Sequence, residues 1–526
     1  MAKHNRTKNT IINTITGFGG QLLTVILQFV VRTVFIHTLG KDYLGINGLF
    51  HNILSMLSLA ELGVGSAIAF RLYKPLANHD EKRVRVLMKF YRLAYKVIGA
   101  FILVMGLLLI PFLPRLIKDY DSLEKLGINA AFLFVLFLMQ SVSSYLFLAY
   151  RSTVVTADQK KYILDLIHYA VRVVLAIVQI IVLVVFHSFI AYTAVAIAMA
   201  IINSLISGVI AKKRYPQYFL PEKDSLTSAE IKEMFQDCGA LFIYKANGVV
   251  VKATDNLVLS SFIGIAAVGI YSNYMLLYRT FVDLIQRIFN ASRASMGNLF
   301  ATETREKQYH FFRVMNLLTA LLFGTAGVGV AVCGNEVIEN WIGAEYLLQQ
   351  PVPILIGIEL YFAGILVNLG QVRGVSGVFR QAWYRPLLGI IVNIIVSITL
   401  VQVWGISGVI LGTIASYVLT NFLIEPALIY KYAFQGFKPV SDYYKTNVFY
   451  MLITVVVTAV DMFICSNLFT GHGLLSAIVH ILITGISVPA MFVLISWKKE
   501  EGSYLRNKII WLFKKIINTV NVKRLH

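Results

Sequence analysis

Two neighbouring stretches decide the fold class: residues 162–186, YILDLIHYAVRVVLAIVQIIVLVVF, and residues 189–211, FIAYTAVAIAMAIINSLISGVIA. Only His187 and Ser188 separate them. Each stretch is long enough to cross a bilayer, because a helix needs about 20 mostly apolar residues to span a hydrocarbon core of about 30 Å. The pair therefore predicts two adjacent transmembrane helices joined by a tight turn.

The composition of the whole chain agrees with this pair. Of 526 residues, 57% are hydrophobic and 14% are charged, whereas soluble proteins have about 45–50% apolar and about 25% charged residues. This balance excludes a soluble enzyme, a disordered chain and a secreted disulfide scaffold. The three cysteines form no CxxC pair, and we interpret them as small buried hydrophobic side chains. We predict an all-α polytopic membrane protein.

Working outward from the first pair, the sequence contains about 14 hydrophobic segments of similar length. These predicted spans lie at 11–36, 44–73, 87–113, 128–150, 162–186, 189–211, 238–262, 268–297, 313–333, 353–378, 386–404, 406–432, 446–468 and 474–497.

The distribution of basic residues supports an even number of spans with both termini cytoplasmic. In this arrangement the inner loops and inner helix ends hold 36 of the 47 Lys and Arg residues, as the positive-inside rule requires. The net charge of +20 is thus explained by topology and does not indicate a nucleic-acid partner. Four basic residues fall in outer loops: Lys41, Arg115, Lys118 and Lys125.

The longest inner loop divides the chain into parts. It contains a T-x-x-E capping box at Thr227 and Glu230. We predict an N-lobe at 1–211 (spans 1–6), a cytoplasmic interlobe loop at 212–237, a C-lobe at 238–432 (spans 7–12), two extra C-terminal helices within 433–497, and a basic amphipathic cytoplasmic tail at 498–526.

An internal repeat relates the two predicted six-helix lobes. The connection between spans 1 and 2 carries Gly40 and Gly45, and the connection between spans 7 and 8 carries Gly264 and Gly269. Each pair is offset by 224 residues. Because both connections join helices of the same orientation, the pattern favours a parallel duplication; chance recurrence of glycines in short loops is the alternative.

Polar side chains recur at helical spacing on spans 1, 2, 7 and 8. Ionisable groups inside a bilayer usually face a polar cavity or one another. We expect a water-filled cavity between the lobes, with cations suited to a diphosphate. Its predicted substrate-binding cations are Arg32, Lys245, Lys252, Arg279 and Arg287, and its polar lining is Gln21, Gln28, Asn47, His51, Asn256, Gln286 and Asn290.

The alternative interpretation is ion pairing within the membrane. Arg279, Asp283 and Arg287 are spaced to satisfy one another, and Lys252 could pair with Asp255. Glu61 has no local partner, so it could carry a proton or accept a hydrogen bond from a neighbouring helix. Glu61, Asp255 and Asp283 are candidates for coupling to a proton or sodium gradient.

Chemistry of other kinds has no sequence support. The chain has no Walker A motif and no HExxH motif, and its ten histidines are scattered. We therefore predict no metal site, no cofactor, no catalytic residue and no enzymatic activity.

The tail pairs apolar residues at helical spacing with basic ones. This pattern predicts an interfacial helix on an anionic inner leaflet, with a partner-binding helix as the alternative.

Two stretches carry a resemblance to a known family: Gly45 to Leu76, GINGLFHNILSMLSLAELGVGSAIAFRLYKPL, and Thr254 to Tyr274, TDNLVLSSFIGIAAVGIYSNY. They resemble bacterial polysaccharide transporters of the multidrug/oligosaccharidyl-lipid/polysaccharide (MOP) superfamily, in particular Wzx-type repeat-unit flippases of Gram-positive bacteria. The resemblance covers essentially the whole chain.

The resemblance implies a multi-pass protein of the bacterial plasma membrane that moves an undecaprenyl-diphosphate-linked oligosaccharide to the outer leaflet by alternating access. A polymerase and other glycan-assembly proteins are the implied protein partners. Alternatives are a teichoic-acid or lipid II flippase, a MATE-like small-molecule antiporter, and a membrane glycosyltransferase or polymerase. The last would be expected to need a larger external loop than the sequence offers.

Overall fold

The computed structural model describes residues 2–118, 120–125, 129–467 and 473–508. Within these ranges the chain is almost entirely helical and contains no strand. The prediction of an all-α protein is confirmed, and each of the predicted hydrophobic segments coincides with helix.

The long helices are numbered here in chain order. They are α1 (Ala2–Leu57), α2 (Leu59–Ala77), α3 (Glu81–Leu109), α4 (Ala130–Leu146), α5 (Lys161–Phe186), α6 (Phe189–Arg214), α7 (Ser228–Phe262), α8 (Ile265–Thr302), α9 (Arg305–Ile342), α10 (Val352–Ser376), α11 (Tyr384–Trp404), α12 (Ile406–Tyr417), α13 (Ser441–Asn467) and α14 (Leu474–Ser496). Shorter helical segments lie between them, and π-helical turns continue α12 at Val418–Ile424 and Ile429–Ala433.

Eleven helical segments of the described chain are long and apolar enough to cross a membrane. The protein is therefore a multi-pass membrane protein. The helices α2, α7 and α8 are not among these eleven. They fall short because they carry charged residues within their apolar lengths, such as Glu61 on α2, Lys252 on α7 and Arg279 on α8.

The two glycine-containing connections of the internal repeat contact each other. Gly40 bends α1 with a φ of 82°, and Gly264 separates α7 from α8 with a φ of 132°, a backbone region that favours glycine. A methyl group on Gly45 would lie 2.0 Å from the carbonyl oxygen of Ile265, and one on Gly269 would lie 2.2 Å from that of Lys41. Because these pairs interchange under the 224-residue offset, the contact is the reciprocal one that a parallel duplication predicts.

The density of internal contacts divides the chain into two compact units. Unit 1 comprises Met1–Asn273 and Ile390–Gly412, and unit 2 comprises Tyr274–Gly389 and Thr413–His526. The division falls within α8, 10 residues after Gly264, and it assigns much of α11 to unit 1. The lobe boundaries drawn from the sequence stay a prediction.

The interlobe loop is held against α3 in unit 1. The capping box predicted at the start of α7 is confirmed, because Thr227 and Glu230 exchange both hydrogen bonds. Lys89 also donates to the carbonyl oxygens of Lys223 and Asp224, at 3.0 and 3.2 Å. Three ion pairs fix the loop: Lys82–Asp224 at 2.7 Å, Arg83–Glu230 at 2.6 Å and Arg85–Glu222 at 3.0 Å.

The carboxylates of these three ion pairs should make the stability of the loop depend on pH. Hydrogen bonds from the Thr227 backbone and from Arg83 lower the pKa of Glu230 from 4.5 to about 2. Hydrogen bonds from Lys82 and from Arg85 likewise lower the pKa values of Asp224 and Glu222. Carboxylates whose pKa is lowered by folding stabilise the folded loop when the pH is above their normal pKa. This stabilisation is lost as the pH falls toward the lowered pKa.

We therefore expect amide exchange in the loop, corrected for intrinsic rate, to be unchanged from pH 7 to about 5 and to rise below about 4.5. Glu230→Gln should raise exchange already at pH 7. Glu303→Gln, which removes an exposed pair with Lys307, is the control and should leave the loop unchanged. A loop whose exchange ignores both acid and Glu230→Gln would contradict the anchoring role.

Unit 2 has an aromatic core and a buried ion triad. Tyr309 and Phe312 of α9 pack against Tyr430 and Phe434 beyond α12. Beside this core, Glu425 is fully buried between two arginines. Arg385 Nε forms an ion pair with Glu425 Oε2 at 2.7 Å, Arg373 donates from Nη1 to Glu425 Oε1, and Arg385 Nη1 donates to Asn421 Oδ1 at 2.8 Å.

The start of the basic tail packs against α9 in unit 2. Residues 500–508 are helical, and Glu501, 2% exposed, pairs with Arg313 at 2.5 Å. Leu505 contacts the apolar cluster of α9, α13 and α14. The predicted interfacial helix falls largely on residues 509–526, outside the described ranges, so that assignment stays a prediction.

Candidate functional site

The polar stripe of α1 ends in an arginine that is bound to the start of α8. Arg32 donates from Nε to Asn273 Oδ1 at 3.0 Å and from Nη2 to Ser272 Oγ. Both of these partners are neutral, and they orient the guanidinium. Of the other predicted residues on α1, Gln21 is half-buried and Gln28 is exposed.

A cavity of about 410 Å³ lies within unit 1, between the second part of α1 and helices α4, α5 and α6. Asn47 and His51, predicted as polar lining, form part of its wall. The opposite wall holds His168, Arg172 and Gln179 of α5. These three recur at four- and seven-residue steps on one helix face. That spacing was visible in the sequence, but none of the three was assigned to a site.

Glu61 is bound by two phenols. The hydroxyl of Tyr95 on α3 donates to Oε1 at 2.6 Å, and that of Tyr145 on α4 donates to Oε2 at 2.7 Å. Tyr91 in turn donates to Tyr95 at 3.0 Å. The carboxylate therefore joins α2, α3 and α4, which is the hydrogen-bonding alternative that the sequence left open. A role in proton coupling stays a prediction.

The candidates on α7 differ in exposure. Lys245 is exposed and Lys252 is half-buried, whereas Asp255 and Asn256 are only 4% and 6% exposed. Asn393 of α11, also buried, donates to Asp255 Oδ1 at 3.3 Å. One turn along α11, buried Ser397 donates to the carbonyl oxygen of Val409. An amide donor of α11 thus binds one oxygen of the buried carboxylate on α7.

The stripe on α8 belongs to unit 2 from Tyr274 onward. Arg279, Asp283, Gln286 and Asn290 are exposed, and Arg287 is half-buried. Gln371 of α10 donates to Asn290 Oδ1 at 3.2 Å. Within the described ranges, no ion pair shorter than 4.0 Å joins Arg279 to Asp283, so the self-pairing that their spacing allows is not formed there.

The candidate residues thus fall into separate groups. The cavity of unit 1 brings Asn47 and His51 together, Arg32 is bound to the start of α8, and Asp255 and Asn256 are buried on α7. Glu61 lies in the tyrosine cluster, and the α8 stripe is exposed on unit 2. That they line one common cavity stays a prediction.

A polar cluster in unit 2 joins α9, α13 and α14. His480 Nδ1 lies 2.6 Å from Glu336 Oε2, and Ser487 donates to Asp461 Oδ2 at 2.6 Å. Their joining depends on the packing of three helices that are distant in the chain.

No protein-family model matches the chain, and no curated protein matches its sequence. Solved structures do match its fold. One is the lipid II flippase MurJ in an inward closed conformation, with a TM-score of 0.66 and 15% identity; the match covers 93% of this chain and 99% of that one.

Two further structures are an inward-facing and an outward-facing conformation of a multidrug resistance MATE family transporter of the MOP superfamily. Both have a TM-score of 0.53, with 12% and 13% identity. They cover 79% and 81% of this chain, and 96% of their own length in each case. The chain therefore has the fold shared by the MurJ flippase and the MATE transporters, which are transport proteins of the membrane.

Proposed function

We propose that the protein is a flippase of the bacterial plasma membrane. It moves an undecaprenyl-diphosphate-linked oligosaccharide repeat unit from the inner to the outer leaflet by alternating access, for export of capsule, exopolysaccharide or another cell-surface glycan. The substrate would be a lipid with a large polar headgroup, and no covalent chemistry is needed. The protein lowers the barrier to moving that headgroup through hydrocarbon.

The observation that carries this proposal is the exposed charged stripe on α8. Arg279 is exposed on a helix of 38 residues and has no carboxylate within 4.0 Å in the described chain. A guanidinium in contact with lipid tails would be costly, so such a stripe must face water or a polar ligand. Arginine binds phosphate oxygens through two parallel hydrogen bonds, which suits a diphosphate.

Arg32 would contribute in a second way. Its hydrogen bonds to Ser272 and Asn273 fix its guanidinium beside the start of α8. Lys245 and Lys252 would add point charges, and the polyprenyl tail would remain in lipid while the headgroup crosses.

The likeness in fold also favours a lipid-linked substrate over a small one. The MurJ structure covers 93% of this chain, whereas the two MATE structures cover 79% and 81%. A lipid II or teichoic-acid flippase is the nearest alternative, since it requires the same diphosphate chemistry. A MATE-like antiporter is the second alternative, because those structures share the fold.

Coupling to an ion gradient is part of the proposal. Asp255 is buried and accepts a hydrogen bond from the amide nitrogen of Asn393, and a carboxylate is a ligand that small hard cations prefer. Glu61 is the candidate for a proton, and exposed Asp283 is a third candidate. A proton or sodium gradient would then drive the conformational cycle.

Replacing Glu61 by glutamine tests whether this residue carries the coupled proton. We expect Glu61→Gln to lower transport and to flatten its dependence on pH, because an amide cannot exchange a proton in this range. Tyr145→Phe removes one hydrogen bond to the same carboxylate and is the matched control, since it leaves the titratable group in place. Full activity with an unchanged pH profile in Glu61→Gln would remove Glu61 as the coupling group.

The class of substrate is tested by binding to the purified protein. We expect a polyprenyl-diphosphate-linked oligosaccharide to raise the melting temperature, because a ligand bound by the folded state stabilises it. The same oligosaccharide without lipid and diphosphate should have a much smaller effect. Stabilisation by cationic drugs, with none by the lipid-linked glycan, would favour the antiporter instead.

A further inference from the structure

The cavity of unit 1 has the dimensions of a ligand site. Its volume of about 410 Å³ lies within the range of about 300–1,000 Å³ that is usual for bound small molecules. Its walls come from four helices of the same unit, so it does not depend on how the two units are arranged. Polar, aromatic and aliphatic side chains line these walls, including His51, whose ring lies 5.0 Å from that of Phe137.

One basic side chain lies in the wall of this cavity. Among the described residues that line it, Arg172 is the one with a permanent charge. Its Nε faces His168 Nε2 at 3.5 Å, and no carboxylate of the described chain lies within 4.0 Å of its guanidinium. A buried or half-buried cation without an anionic partner is costly. The site therefore suits a ligand that brings one negative charge.

The other polar side chains of the cavity can bind the hydroxyl groups of a ligand. Side-chain amides reach the cavity from all four walls, in Asn47, Gln140, Gln179 and Asn203. The Oδ1 atom of Asn203 is buried without a hydrogen-bond partner in the described structure. Buried polar atoms are nearly always hydrogen-bonded, so this acceptor indicates a donor that arrives with a ligand. Amides bind hydroxyls well because each offers both donors and an acceptor.

We propose that this cavity recognises an acidic sugar of the transported glycan, with its carboxylate on Arg172 and its hydroxyls on the surrounding amides. The inference rests on the proposed function and adds the substrate class. A diphosphate fits less well, because it carries more than one negative charge and the cavity supplies one permanent cation. A single guanidinium matches a single carboxylate, which it binds in two parallel hydrogen bonds.

Two matched substrates test the proposal in proteoliposomes that contain the full-length protein. One is a fluorescent polyprenyl-diphosphate-linked oligosaccharide with a glucuronic acid unit, and the other has glucose at that position. We expect Arg172→Gln to slow transport of the acidic glycan at least about tenfold and that of the neutral glycan less than about twofold. Arg172→Lys keeps the charge but loses the planar fork, so it should recover part of the rate.

The other outcomes separate the possibilities. An equal loss for both substrates would mean that Arg172 binds the diphosphate or maintains the fold, and it would overturn the proposal. No loss for either would overturn it as well. Asn203→Leu provides a second readout, and we expect it to weaken transport of both sugars, because both present hydroxyls. If the unaltered protein moves neither glycan, the proposed function itself fails.

Discussion

Arg279→Ala and Arg287→Ala are each expected to abolish surface polysaccharide in cells while leaving the level of the protein unchanged. The physical reason is that a hydrogen bond to a charged group contributes about 1.5–3 kcal/mol, so the loss of one arginine on the diphosphate slows transport at least about tenfold. The exposed position of Arg279 predicts little effect on folding.

Charge-conserving and distant substitutions serve as controls. Arg279→Lys keeps the positive charge and should retain part of the activity, because lysine binds phosphate as a point charge. Lys307→Ala removes an exposed cation that pairs with Glu303 at 2.8 Å, and transport should remain normal. Normal polysaccharide in both Arg279→Ala and Arg287→Ala would contradict the role of the α8 stripe.

Glu425→Gln should destabilise the protein by about 3–5 kcal/mol, because it leaves the charges of Arg373 and Arg385 buried without their carboxylate. Glu425 is 0% exposed and Arg385 is 2% exposed, so water cannot replace the lost partner. The free energy of unfolding, measured by denaturant titration in mixed micelles, reports this loss.

Two control variants test whether the loss of stability in Glu425→Gln comes from the burial of its charges. Glu303→Gln breaks an exposed pair and should cost less than about 1 kcal/mol. Asn421→Ala removes one hydrogen bond to Arg385 but no charge, so its cost should fall between the two. A change below about 1 kcal/mol in Glu425→Gln would show that the triad does not stabilise unit 2.

Sequence reasoning succeeded where the signal is local. Helix positions followed from hydrophobic length, and the capping box at Thr227 and Glu230 followed from spacing within one turn. Polar stripes were predicted on spans 1, 2, 7 and 8; helices α2, α7 and α8 fall outside the eleven apolar spans, whereas α1, which carries span 1, is among them. The 224-residue offset between Gly45 and Gly269 predicted an internal duplication. The reciprocal close contacts of these two glycines agree with it.

Partners that are distant in the chain could not be predicted in the same way. Glu425 lies within predicted span 12, but its pairing with Arg373 and Arg385 requires helices from three parts of unit 2. Glu61 was recognised as a carboxylate without local partners, whereas the two tyrosines that bind it lie 34 and 84 residues away. Arg172 lies within predicted span 5, and its place in a cavity depends on the packing of four helices.

The central claim, that the protein carries a lipid-linked glycan across the bilayer, is tested most directly by transport in proteoliposomes. A fluorescent polyprenyl-diphosphate-linked oligosaccharide is placed in both leaflets, and an impermeant quencher reports the fraction that reaches the outer one over time. We predict rapid exchange with the unaltered protein, exchange at least about tenfold slower with Arg279→Ala, and none in empty vesicles. Exchange no faster than in empty vesicles, with a correctly folded and inserted protein, would contradict the account.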